Sequence, residues 1–175
     1  MPRIFLCMGF GQLVVVLAAF VLGMLHSPAT VTRHVALGVF ALLLSCLVQV
    51  IVFTYFTVTG KMVAQALHLG RFDLAPLFEV KRLKRIMTVA MACGIASILC
   101  VAITGGNHWR TAAGANAHFV TVLVAFCVQV WAFYRQYGAV CGNFVIVRTV
   151  LEEYAAMRRS PNCNQHRIPR GFEPT

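Results

Sequence analysis

Charge is what this chain has least of. Asp, Glu, Lys and Arg make up 11% of its 175 residues, against about 25% in an ordinary soluble domain. The acidic share is smaller still, with five Asp and Glu facing fifteen Lys and Arg. No charged side chain lies between Arg3 and Arg33, and no long apolar run contains a carboxylate. Pumps and proton-coupled transporters usually need ionisable groups within the membrane, so that class is disfavoured. No GxSxG, HExxH, Walker A or dinucleotide-binding fingerprint occurs, and nothing is arranged for nucleophilic attack. Autonomous catalysis is not expected.

CxxC pairs are absent too, although the chain has seven cysteines. Cys7, Cys46, Cys93, Cys100 and Cys127 fall inside apolar runs, where a free thiol behaves as a small hydrophobe. Cys93 and Cys100 share a helix face but are separated by about 10 Å of rise, too far for a disulfide. Cys141 and Cys163 lie towards the C-terminus. A disulfide framework is excluded.

Apolar sequence is abundant. Hydrophobic residues make up 59% of the chain and the mean hydropathy is +0.78. They are concentrated in four runs, 4–25, 35–59, 86–104 and 115–134, each long enough to cross a bilayer as a helix. The first is longer than a signal-peptide core and no A-x-A-like site follows it, so it reads as a retained anchor. The expected fold is an all-α integral membrane protein, a four-transmembrane-helix up-down bundle built as two similar helical hairpins. Residues 1–159 form the transmembrane domain and 160–175 a cytoplasmic tail rich in Pro and Gly. Spans two and four are expected to continue as helices beyond the bilayer. Met62, Val63, Ala66 and Leu67 keep helical spacing after span two, as do Val140, Phe144, Val147, Leu151 and Tyr154 after span four. Gly138 and Gly142 form a small-xxx-small pair suited to close helix approach.

Basic residues set the orientation. Lys61, Arg71, Lys81, Arg82, Lys84 and Arg85 lie between spans two and three, and Arg135, Arg148, Arg158, Arg159, Arg167 and Arg170 follow span four. The loops after spans one and three carry only Arg33 and Arg110. By the positive-inside rule both termini are cytoplasmic and the two short loops lie outside. The net charge of +10 then implies contact with anionic lipid head groups. Nucleic acid is not an expected partner, because no recognition motif accompanies the charge.

The hairpins share a pattern. Val48-Gln49-Val50 recurs eighty residues later as Val128-Gln129-Val130. Four of the six histidines fall at the outer helix ends: His26 and His34 around the first loop, His108 and His118 around the second. Imidazole is the commonest metal ligand and an axial ligand of haem. All four could converge on a copper or zinc ion. Alternatively, His34 and His118, beginning the diagonal helices two and four, could hold a haem b edge-on across about 11–14 Å. His26, His108, Arg33 and Arg110 would then meet its propionates. Against either reading, an interfacial histidine needs no ligand to be comfortable there. Gln49 and Gln129, joined by Gln12 and Ser45, are expected in the bundle interior as interhelical hydrogen-bonding groups, with a quinone or substrate contact as the sharper alternative.

The layout is similar in kind to small four-helix membrane cytochrome b anchors and to small four-span oxidase-assembly proteins with outward-facing histidines. That resemblance implies a non-catalytic membrane subunit or accessory protein of a redox complex, binding haem b or copper and assembling with other membrane subunits. The alternatives are a cofactor-free structural or assembly protein and a small-molecule carrier or channel. A carrier or channel would need a continuous polar path, which the sparse polar residues scarcely provide.

Overall fold

The computed structural model describes residues 2–25, 28–70, 73–107 and 112–159. It is a four-helix up-down bundle of α1 (Pro2–Met24), α2 (Pro28–Gly70), α3 (Ala75–Asn107) and α4 (Ala112–Arg159). All four helices are long and apolar enough to cross a membrane, which makes the chain a multi-pass membrane bundle. Local sequence sets several of the ends. Pro28 opens α2, where its missing N–H costs nothing and its fixed φ suits the first helical turn. The Asp73 carboxylate accepts a hydrogen bond from the Ala75 N–H at 3.2 Å and so caps α3.

The helices differ greatly in length. At 1.5 Å per residue α1 spans about 35 Å, α3 about 50 Å, α2 about 65 Å and α4 about 72 Å. A hydrocarbon core is about 30 Å thick, so α1 nearly matches it and the other three overshoot. The bundle therefore has two parts. Four helices pack over the length of α1. Beyond the α1 N-terminus, α2, α3 and α4 continue as a three-helix stalk.

Extension of α2 and α4 is as the apolar spacing predicts. The extension of α3 is not: it begins at Ala75, well ahead of the apolar run at Ile86. Leu77, Val80 and Leu83 recur every third residue and face the stalk interior, while Lys81, Arg82 and Arg85 point outward. Outside a bilayer a helix needs only one apolar stripe, so the basic run that resembles a connecting loop is helical.

Packing is asymmetric. α1 and α3 do not touch among the described residues, whereas α2 and α4 pack directly against each other as the short diagonal of the bundle. Buried positions along α4 fall at 125, 129, 132, 136, 139, 140, 143 and 150, and the three–four alternation from 125 to 143 forms a coiled-coil seam. The two hairpins face each other across this seam. His34 lies opposite His118 and Thr59 opposite Asn143, each pair 84 residues apart. The structural repeat is thus one helical turn longer than the eighty-residue offset of the shared tripeptide.

Candidate functional site

Each of the two described histidines near the hairpin turns, His34 and His118, is the seventh residue of its helix. Each sits over a glycine on the other helix of its own hairpin. A Cβ at Gly23 would come within 2.8 Å of His34 Cε1, and one at Gly105 within 3.1 Å of His118 Cε1. Glycine at both places is what lets the imidazoles turn inward.

Hydrogen bonds then fix the rings. His34 Nδ1 lies 2.8 Å from the Ala19 carbonyl oxygen. A carbonyl only accepts, so Nδ1 carries the proton and Nε2 of the neutral ring keeps its lone pair. In the second hairpin His118 Nδ1 lies 3.3 Å from Thr104 Oγ1. The Thr104 hydroxyl also lies 2.9 Å from the Cys100 carbonyl and 3.1 Å from that of Val101, so Thr104 ties the His118 ring to α3. The two ring centroids are 6.3 Å apart with planes at 82°.

This geometry corrects the diagonal separation of about 11–14 Å expected of a square bundle. The helix bearing His34 packs directly on the helix bearing His118, and small residues beneath each ring allow the approach. Arg33 is on α2 with its side chain exposed. His26, His108 and Arg110 lie outside the described residues. Among the described residues no group of three or more His, Cys, Asp or Glu side chains is placed to hold a metal ion.

Below the histidines the interior is lined by amides. Gln129 is the hub: its Oε1 accepts from Gln12 Nε2 at 3.0 Å, and its Nε2 donates to the Gly94 carbonyl at 2.7 Å and to Ser97 Oγ at 3.3 Å. These bonds join α1, α3 and α4. Further along the seam Gln136 Nε2 donates to Gln49 Oε1 at 2.8 Å, and Asn143 Nδ2 donates to Thr59 Oγ1 at 2.9 Å. Thr59 passes its own proton to the Tyr55 carbonyl at 2.7 Å. Gln12, Ser45, Gln49 and Gln129 are all buried, as expected of polar groups in spans, but Ser45 Oγ has no hydrogen-bond partner among the described residues and takes no part in these bonds. The two glutamines of the shared tripeptide do not pair with each other, because the 84-residue register sets them one turn apart.

Gln136 and Asn143 are the interior groups that the apolar runs do not reveal. The signal is a heptad of amides, Gln129, Gln136 and Asn143, which puts one polar side chain per two helical turns on a single seam. Of the small-residue pair, Gly142 does allow close approach, with Leu83 Cδ1 3.1 Å from where its Cβ would stand, while Gly138 faces open space.

Compared with protein-family models, curated proteins and solved structures, the chain has no match.

Proposed function

We propose that the chain is a small, non-catalytic membrane subunit or accessory protein of a redox complex, with a metal centre at the end of the bundle where His34 and His118 meet. The observation that carries this reading is the histidine pair itself. Two imidazoles from two hairpins face each other across the α2–α4 seam, each ring is held at Nδ1 by its own hairpin, and the carbonyl bond of His34 leaves Nε2 of its neutral ring as the ligand atom. Anchoring one ring nitrogen so that the other binds a metal is the usual arrangement of ligating histidines.

The spacing favours a single ion over haem b. Two nitrogens bound at about 2.0–2.1 Å to one ion place ring centroids up to about 6 Å apart, close to the 6.3 Å found here. A macrocycle would have to enter between helices that are already in contact. Copper is the ion proposed, because imidazole suits it and it cycles between two oxidation states. When bound, copper supplies one-electron transfer. His34 and His118 hold it, and His26 and His108, which follow α1 and α3 directly in the sequence, are the proposed further ligands. Arg33, next to His34 in the sequence, adds positive charge that suits an anionic partner surface, and Arg110, two residues after His108, is proposed to do the same. The excess of Lys and Arg between spans two and three and after span four supports, by the positive-inside rule, a topology with both termini cytoplasmic and the histidine loops outside, with anionic lipid as the proposed contact of those basic residues.

The test is metal retention by the full chain in mild detergent. His34→Ala and His118→Ala should each lose the metal while inserting normally, and His68→Ala, on the exposed stalk surface, should keep it. Full metal content in both of the first two variants would overturn the assignment. A second reading, a cofactor-free structural or assembly protein, is favoured by the amide pairs that join the helices. It requires metal-free wild-type protein that still assembles with partner subunits.

A further inference from the structure

Midway along α1 the two amide pairs border one small chamber. Its walls are Phe5, Gly9, Leu13, Val48 and Phe133 together with the side chains of Gln12, Gln49, Gln129 and Gln136. Four of the six glutamines in the chain therefore converge on one point in the interior, and all four are at least nine-tenths buried. Its free volume is about 10 Å³, close to the minimum that one water molecule occupies.

The hydrogen-bonding capacity of these amides exceeds what they make with one another. Gln129 uses both Nε2 protons and its Oε1. Gln12 donates once and Gln136 donates once. Gln12 Oε1, Gln136 Oε1 and the Nε2 of Gln49 form no bond with a described residue. An unmet amide group in an apolar interior costs about 1–3 kcal/mol, and in hydrocarbon no solvent is at hand to meet it. Yet these atoms are not among the fully enclosed, unpartnered ones, which are Ser45 Oγ and Asn143 Oδ1. Their residues line the chamber.

We infer that the chamber is a binding site for one ordered water, which accepts from Gln49 and donates to Gln12 and Gln136. The water joins the Gln12–Gln129 pair to the Gln49–Gln136 pair, so that α1, α2 and α4 share one four-glutamine network in the middle of the bilayer. Anything larger than a water molecule, hydrated ions and quinone rings included, is excluded by size. The site is independent of the histidine pair and stands whether or not a metal binds there.

The experiment is water-selective nuclear Overhauser spectroscopy on full-length protein in nanodiscs, deuterated and labelled with ¹⁵N at glutamine side chains. Side-chain amide signals of Gln12, Gln49 and Gln136 should show water cross-peaks whose laboratory-frame and rotating-frame signs are opposite, the mark of a resident water. The exposed Gln65 should not. In Gln49→Met, which removes the donor and fills the space, the Gln12 and Gln136 cross-peaks should vanish. Absence of the cross-peaks in the wild type, or their persistence in Gln49→Met, would overturn the inference. The wild-type spectrum decides alone if that variant does not fold.

Discussion

The two ends of this bundle bury different sets of side chains on one continuous seam, amides among apolar residues in one and apolar residues alone in the other. Over the length of α1, the residues buried between helices include Gln12, Ser45, Gln49, Gln129 and Gln136, while Phe10, Leu43, Val50 and Val124 face outward. In the stalk the buried set is Val63, Ala66, Leu67, Val80 and Val150, and Lys81, Arg82, Arg148 and Glu152 face outward. The three–four spacing along α4 does not change between them; the residue types do. Lipid tails are as apolar as leucine, so burying leucine between helices in a bilayer gains little, and hydrogen bonds and close packing must hold the helices. Water restores the hydrophobic driving force, and the stalk uses it. Thr59 and Asn143 bond at the junction of the two regimes.

The comparison breaks most readily in the stalk. Leu67 is 2% exposed, and truncating a buried leucine in a water-surrounded core costs about 2–5 kcal/mol. Leu67→Ala should therefore speed amide hydrogen exchange through the stalk segments of α2, α3 and α4 and leave the amides around Gln12 and Gln129 protected. Equal loosening of both ends would mean that they do not stabilise themselves separately.

A smaller effect is expected from the hub glutamine. Interhelical hydrogen bonds in membranes average about 0.6 kcal/mol each by double-mutant cycle, so Gln129→Leu should cost only about 1–2 kcal/mol despite removing three. Unfolding in mixed micelles measures it. The cycle with Gln12→Leu should give a coupling near the single-bond value, and no coupling would remove that bond from the ladder. Smallest of all is Arg148→Ala. Arg148 Nε lies 2.7 Å from Glu152 Oε1, but both side chains are more than three-fifths exposed. Exposed ion pairs contribute little against solvent and salt, so neither the stability of the stalk nor its exchange pattern should change measurably.

Much of this was legible in the sequence because apolar runs and helical spacing are local properties. Four spans, the extensions of α2 and α4, the burial of Gln12, Gln49 and Gln129 and the positions of His34 and His118 near the hairpin turns all follow from residue order alone. Two features do not. The α3 extension is hidden because Leu77, Val80 and Leu83 alternate with basic residues, and amphipathic sequence looks loop-like beside a purely apolar span. The contact between α2 and α4 is hidden because relative helix placement depends on which side chains interlock. Its traces are present, though: glycine beneath each histidine and amides every seventh residue from Gln129 to Asn143. Those are signals of proximity, and they acquire meaning once the helices are known to share a seam.

The proposed function turns on the histidine pair, so the most direct measurement is elemental analysis with an optical spectrum on wild-type protein purified in mild detergent without chelators. Stoichiometric copper, with no Soret band, is the expected result and would make His34 and His118 the leading ligands. A Soret band that shifts on reduction would assign the pair to haem and overturn the preference for an ion. Protein that is colourless and metal-free would contradict the metal centre altogether, leaving the two imidazoles as clasps that hold each hairpin closed.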